Sequence, residues 1–144
     1  MPSTDDELRR ILTSSRTLAI VGLSDKPERD SNEVARYLRA QGYRIIPVNP
    51  ALSEVLGERS YPSLTAIPPD VPVDVAVIFR RSDAVPPVVD EAIARRIPVV
   101  WMQLGVEHPV AASRARSRGL VVVENTCTMA THRRLKLPPV GRAA

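Results

Sequence analysis

Residues Leu18–Leu38, LAIVGLSDKPERDSNEVARYL, decide the fold. Thr17–Val21 is an unbroken apolar run ending at Gly22, and reads as the first, central strand of a sheet. A charged loop with Lys26 and Arg29 follows. Val34, Ala35 and Leu38 then recur at helical spacing in a helix opening near Ser31, with Asp30 and Glu33 in a capping pattern and Gly42 as the stop. Strand, glycine turn, loop and helix make the first unit of an α/β nucleotide-binding fold, in which free N–H groups at the helix start meet a phosphate. The dinucleotide fingerprint G-x-G-x-x-G is absent, because Gly22 is followed by Leu23, Ser24 and Asp25. The stretch predicts a phosphate-bearing ligand and argues against an ordinary NAD enzyme.

Working outward, Thr4 and Glu7 form a capping box for a helix over residues 5–14. Further strands are predicted over Tyr43–Val48, Val73–Phe79, Pro98–Leu104 and Leu120–Val123. Pro47 places strain on any central position for the first of these. Residues 54–69 read as loop, with at most a helical turn around Ser63–Ala66. Helices are expected over Ser82–Arg96, where Pro86 and Pro87 suit the first turn, and over His108–Ser117. Strands alternating with helices imply a five-stranded, mainly parallel sheet flanked by helices on both faces. Ligands of such sheets bind beyond the carboxyl ends of the strands. Those ends are Gly22–Ser24, Val48–Pro50, Phe79–Arg81 and Gln103–Gly105.

The 144 residues suit a single domain. Only 3% of them are aromatic, which leaves no stacking platform for single-stranded nucleic acid. The net charge of +4 comes from a basic tail over 132–144 that holds four basic residues and no acid; the remainder balances at 16 of each sign. That placement reads as a solvated tail rather than a nucleic-acid surface. A single cysteine, Cys127, excludes an internal disulfide, and no Cys/His cluster has metal-ligand spacing. A polar N-terminus and the lack of a membrane-length apolar run predict a cytoplasmic protein.

Each predicted loop offers specific chemistry. Gly22 permits close backbone approach. Ser24 supplies a hydroxyl, Lys26 and Arg29 supply charge, and Ser31 stands where the helix begins. An NAD enzyme wants an acid after the second strand to bind the ribose diol, and the chain has Val48-Asn49-Pro50 instead. Phe79 and Arg80 can pack on a base and meet a phosphate, while Arg81 reads as solvated. Gln103 and its neighbours offer amide and backbone groups, and Trp101 reads as core.

Five segments carry a further likeness: VGLSDKPERDSNEVARYL, GYRIIPVNP, LGERSYPSL, VDVAVIFRR and VVWMQLGV. Together they resemble the stand-alone CoA-binding domain proteins, which are similar to the N-terminal domain of the succinyl-CoA synthetase α-subunit. The likeness runs from about Leu18 through Val123. It implies a Rossmann-like three-layer fold that holds coenzyme A non-covalently. It assigns Gly22, Ser24, Lys26, Arg29 and Ser31 to phosphates, and Val48, Asn49 and Pro50 to the adenosine. Phe79 and Arg80 fall on the third loop, and Met102, Gln103, Leu104 and Gly105 on the pantetheine side. Where relatives often carry Asp-Arg-Cys and Glu-His, this chain has Asn125-Thr126-Cys127 and Thr131-His132.

Three functions remain in view. Binding of coenzyme A or acyl-CoA without catalysis, as a carrier or sensor, accounts for all the loops. A CoA-dependent acyltransferase or thioesterase needs a base or nucleophile, and only His108, His132 and Cys127 offer themselves. An NAD(P)-binding regulatory protein is the third. The ligand is expected to be a small molecule, with no membrane and no nucleic acid. Protein partners and oligomeric state are not legible.

Overall fold

A computed structural model describes residues 3–141. The elements run α1 (Asp5–Ser14), β1 (Thr17–Val21), α2 (Asp30–Ala40), β2 (Arg44–Val48), β3 (Glu54–Val55), β4 (Glu58–Arg59), β5 (Val75–Ile78), α3 (Val85–Ala94), β6 (Val99–Met102), α4 (Pro109–Ser117), β7 (Val121–Val123) and α5 (Thr128–Arg134). Five strands form one sheet in the order β2-β1-β5-β6-β7. Every neighbouring pair in it is parallel. The chain order reverses between β1 and β5, so the crevice for a ligand opens there, outside the carboxyl ends of the strands.

Strand periodicity explains the layers. Leu18 and Ile20 face a core shared with Leu12 of α1 and Leu38 of α2, while Ala19 and Val21 face one shared with Val89 of α3 and Ala112 of α4. Successive side chains point to opposite faces, so a strand covered on both sides must be apolar throughout. All five residues of β1 are buried. This is the parallel sheet with helices on both faces that the alternation of elements predicted, in the three-layer, Rossmann-like form that the resemblance implied.

Several details differ from the sequence expectations. β1 is interior but not central, since β5 holds the middle. β2 is an edge strand, which relieves the expected strain at Pro47: an edge tolerates a missing N–H donor. Residues 54–69 are not simply loop, because β3 and β4 pair as a short antiparallel hairpin. A 3₁₀ turn then covers Leu64–Ala66. Two-residue strands carry too little periodicity to be read. Before β5, the Asp74 carboxylate accepts the N–H groups of Arg16 and Thr17, which closes the N-terminal rim of the sheet. The predicted helix over 82–96 opens with a 3₁₀ turn, Ser82–Ala84, before α3, and its prolines do lie in the first turn of α3.

The tail departs most from expectation. His132 is 1% exposed, and its Nδ1 lies 2.8 Å from the Tyr37 hydroxyl of α2. Arg133 stacks over the Tyr37 ring, and Arg134 forms a bidentate pair with Asp5 of α1. Val140 is buried, and its N–H donates to the Gln41 carbonyl. The described part of the tail is therefore packed through its apolar residues, which face the same core as α1 and α2, while the side chains of Arg133, Arg134 and Lys136 stay exposed as expected. Arg142, counted with the tail, lies outside the described residues. Burial pushes the His132 imidazole below its usual range, and it raises the Tyr43 phenol to about 12. No helix among the described residues is long and apolar enough to cross a membrane.

Candidate functional site

A cleft of about 550 Å³ opens at the carboxyl ends of β1, β5 and β6. One wall is the loop from Gly22 to the start of α2. Phe79, after β5, forms the floor, and Gln103, Leu104 and Val106, after β6, form the opposite wall.

Gly22 makes the first wall possible. Its φ of +88° is in the left-handed region, and a Cβ there would stand 2.3 Å from the Phe79 carbonyl oxygen. Only glycine fits so close to the next strand. Leu23 then anchors the loop in the core. The Ser24 N–H donates to Ser31 Oγ, Asn32 Nδ2 donates to the Ser24 carbonyl, and the Ser24 hydroxyl oxygen accepts the Lys26 N–H. Arg36 ties in from the next turn, its guanidinium donating to Asn32 Oδ1 and the Pro27 carbonyl. These bonds hold the base of the loop and leave its tip outward, with Lys26 and Arg29 exposed. Neither forms an ion pair among the described residues.

The start of α2 corrects the predicted cap. Arg29, not Asp30, is the N-cap residue, and no side chain bonds back to the first turn. Asp30 becomes the first helical residue. The N–H groups of Asp30 and Ser31 donate to no described residue. Two free donors at a helix N-terminus, with two cations on the adjoining loop, form a site that attracts anions. Glu28 and Asp30 also line the cleft, so its field is mixed rather than uniformly positive.

The remaining predicted residues divide by exposure. Val48 and Met102 are buried in the apolar core, so neither turns its side chain to the cleft. Asn49 spends its amide on the loops, donating to the Leu23 carbonyl and accepting the Ala51 N–H. Pro50, Arg80 and Gly105 are exposed but do not line the cleft, and Leu104, which does, is 70% exposed. Gln103 is the reverse: 2% exposed, it still reaches the cleft. Trp101 is core, with Nε1–H donating to the Thr126 carbonyl.

Residues that sequence reasoning did not single out complete the site's frame. Asn32 is buried and secures the loop; an Asn at the third helical position beside a phosphate-type loop was the available signal. Asn125 Oδ1 accepts the Gly105 N–H, and Thr128 grips Gln103. Nothing in the local sequence announces those two, because their partners lie 20 or more residues earlier.

The three groups suited to catalysis have structural positions. Cys127 is the N-cap of α5, where its Sγ accepts the Ala130 N–H at 3.5 Å. His108 caps α4 through Nδ1, and His132 is packed between α5 and α2. None of them lines the cleft.

Residues 16–133 match the family described as the CoA binding domain. The chain is 38% identical over 126 residues to the uncharacterized protein YneT of Bacillus subtilis, covering 88% of this chain and 92% of that one. Among solved structures, a hypothetical protein from Pyrococcus horikoshii is 40% identical with a TM-score of 0.90, covering 94% of this chain and 96% of the other. A dinucleotide-forming acetyl-coenzyme A synthetase from Ca. Korarchaeum cryptofilum is 27% identical with a TM-score of 0.69; the match takes in 82% of this chain and 28% of that one. The strand order, the glycine turn against β5 and the donor-lined cleft thus occur in a chain that belongs to the CoA-binding domain family.

Proposed function

We propose that this protein binds coenzyme A or an acyl-CoA non-covalently in the cleft, without chemistry of its own, and serves in the cytoplasm as a carrier or sensor of that ligand. The observation that carries this reading is the free N-terminus of α2, where unpartnered N–H groups of Asp30 and Ser31 adjoin Lys26 and Arg29. A phosphate placed there gains the helix dipole and charge-assisted hydrogen bonds together. Phe79 at the floor offers an aromatic face, and the wall of Leu104 and Val106 offers apolar surface for a flexible arm.

The non-catalytic part of the proposal rests on the positions of Cys127, His108 and His132, each committed to holding a helix and each outside the cleft lining. An acyltransferase or thioesterase needs a nucleophile or base within hydrogen-bond reach of the thioester. An NAD(P) reading needs a diol partner after β2, and the Asn49 amide is spent on its own loops.

Isothermal titration with CoA, dephospho-CoA and NAD tests the binding, with CoA expected to rank first. Absence of heat with CoA at neutral pH and low salt overturns the reading. Acyl-CoA turnover by the wild-type protein would overturn the non-catalytic part alone.

A further inference from the structure

Gln103 is a buried amide whose two ends have different fates. Its Oε1 accepts two hydrogen bonds from Thr128, one from the backbone N–H and one from Oγ1, both at 2.9 Å. A backbone N–H can only donate, so the amide oxygen must face Thr128 and the amide nitrogen must face away. Nε2 makes no hydrogen bond to a described residue. It is not sealed in the core either, for the buried side-chain atoms without a partner among the described residues are Arg95 Nε and His132 Nε2. Since Gln103 lines the cleft, its Nε2 is a donor presented to the ligand space.

We propose that Thr128 is a positioning residue for ligand recognition: it locks the Gln103 amide so that the wall opposite α2 presents a fixed, neutral two-proton donor, which selects a carbonyl oxygen on the ligand. The location decides the kind of acceptor. Leu104 and Val106 flank the donor, while the cations stand on the other wall. A phosphate is drawn to the charged wall, and a neutral amide carbonyl suits the neutral, half-apolar one. This rests on the CoA reading, in which the amide carbonyls of the pantetheine arm are the matching groups. The first turn of α5 thereby becomes part of the binding apparatus, although Thr128 itself is buried behind Gln103.

Thr128 is the first residue of α5, where an N–H has no partner within the helix and proline is tolerated. Cys127 before it has φ −83° and ψ 122°, a conformation compatible with a following proline. Thr128→Pro therefore removes both donors from Oε1 while leaving the helix able to form. Gln103→Glu is the second perturbation: one carboxylate oxygen keeps the Thr128 bonds and the other turns an acceptor toward the cleft.

Titrations use CoA and adenosine 3′,5′-bisphosphate, which has phosphates and adenosine but no arm. Thr128→Pro is expected to weaken CoA about 3- to 10-fold, the scale of one neutral hydrogen bond. Gln103→Glu should weaken CoA about 10-fold or more, since an acceptor then faces an acceptor. Thr128→Pro should leave the bisphosphate affinity unchanged, Gln103→Glu should weaken it less than it weakens CoA because the added charge also repels phosphates, and Thr128→Ser, which keeps both donors, should restore the selectivity for CoA. Unchanged CoA affinity in both variants overturns the proposal. So does an equal loss for CoA and the bisphosphate, which would mark Thr128 as a support of the fold alone. A wild-type protein that binds neither ligand overturns the CoA reading itself, an outcome distinct from the other two.

Discussion

Gly22→Ala and Gly119→Ala are matched perturbations in one backbone conformation with two different surroundings. Their φ values are +88° and +87°, so each alanine bears the same left-handed strain, about 1–2 kcal/mol. The gain from stiffening the unfolded chain, about 0.4–1 kcal/mol, is also common to both and cancels in the difference. Beyond that the two sites diverge. A Cβ at Gly119 meets nothing within 4 Å, whereas at Gly22 it stands 2.3 Å from the Phe79 carbonyl oxygen. Carbon–oxygen contacts settle near 3.3 Å, so the β1 and β5 ends must part by about 1 Å. They are tied against that movement: the Phe79 N–H donates to Val21 and the Gly22 N–H to Val48, both at 2.8 Å. Forcing a methyl into such a place costs about 1–3 kcal/mol on the scale of overpacked cores. With the unfolded-chain gain subtracted, Gly22→Ala should then lose about 1–5 kcal/mol and Gly119→Ala about 0–2 kcal/mol, a difference of about 1–3 kcal/mol. At this chain length each kcal/mol lowers the thermal midpoint by about 4 °C, so far-UV circular dichroism melts resolve the pair. Equal midpoints would refute the claim that contact with β5, rather than backbone conformation, makes glycine necessary at position 22.

Trp101→Phe removes the 2.7 Å bond to the Thr126 carbonyl and leaves a void in a fully buried position. Urea unfolding followed by circular dichroism should show a loss of about 2–4 kcal/mol, and a loss within error would mean that the bond is dispensable. Burial keeps the His132 pKa low, so protonation favours the unfolded chain. Its stabilising contribution is whole above the unfolded pKa of about 6.5 and falls as pH drops below it, with a slope of at most about 1.4 kcal/mol per pH unit. His132→Gln should flatten that slope in stability measured from pH 7 downward; an unaltered slope refutes the assignment. For the proposed ligand, Arg29→Ala or Lys26→Ala should each weaken CoA by about 5- to 30-fold, the range for a partly solvated charge-assisted bond. Each variant should also show a shallower dependence on salt, and a CoA affinity equal to wild type would remove that residue from the phosphate wall.

Periodicity is a local property, and whatever depends on it was legible in the chain. The apolar run Thr17–Val21, the placing of Val34 and Ala35 four and three residues before Leu38, and the prolines at the start of α3 sufficed for an α/β sheet with helices on both faces. They also sufficed to nominate the strand ends as the place for a ligand. Edge or interior rank was not legible: β2 and β1 carry similar apolar runs, and only pairing with β5 distinguishes them. The contacts of the tail were hidden for the same reason, since nothing local shows that Arg133 and Arg134 meet Tyr37 and Asp5 of other helices. Within the site, Lys26, Arg29 and Gly22 announce their chemistry by type, because charge and the missing side chain belong to the residue. The direction of an amide does not. Gln103 is a donor toward the cleft because a residue 25 positions later takes its oxygen, a relation that exists only once the chain has closed on itself. The sequence by itself determined the five strands of the main sheet, the helices α1 to α4 and which chemical groups surround the strand ends. Only the tertiary structure decided which groups remain free to bind, because hydrogen-bond satisfaction is settled by partners distant in the chain.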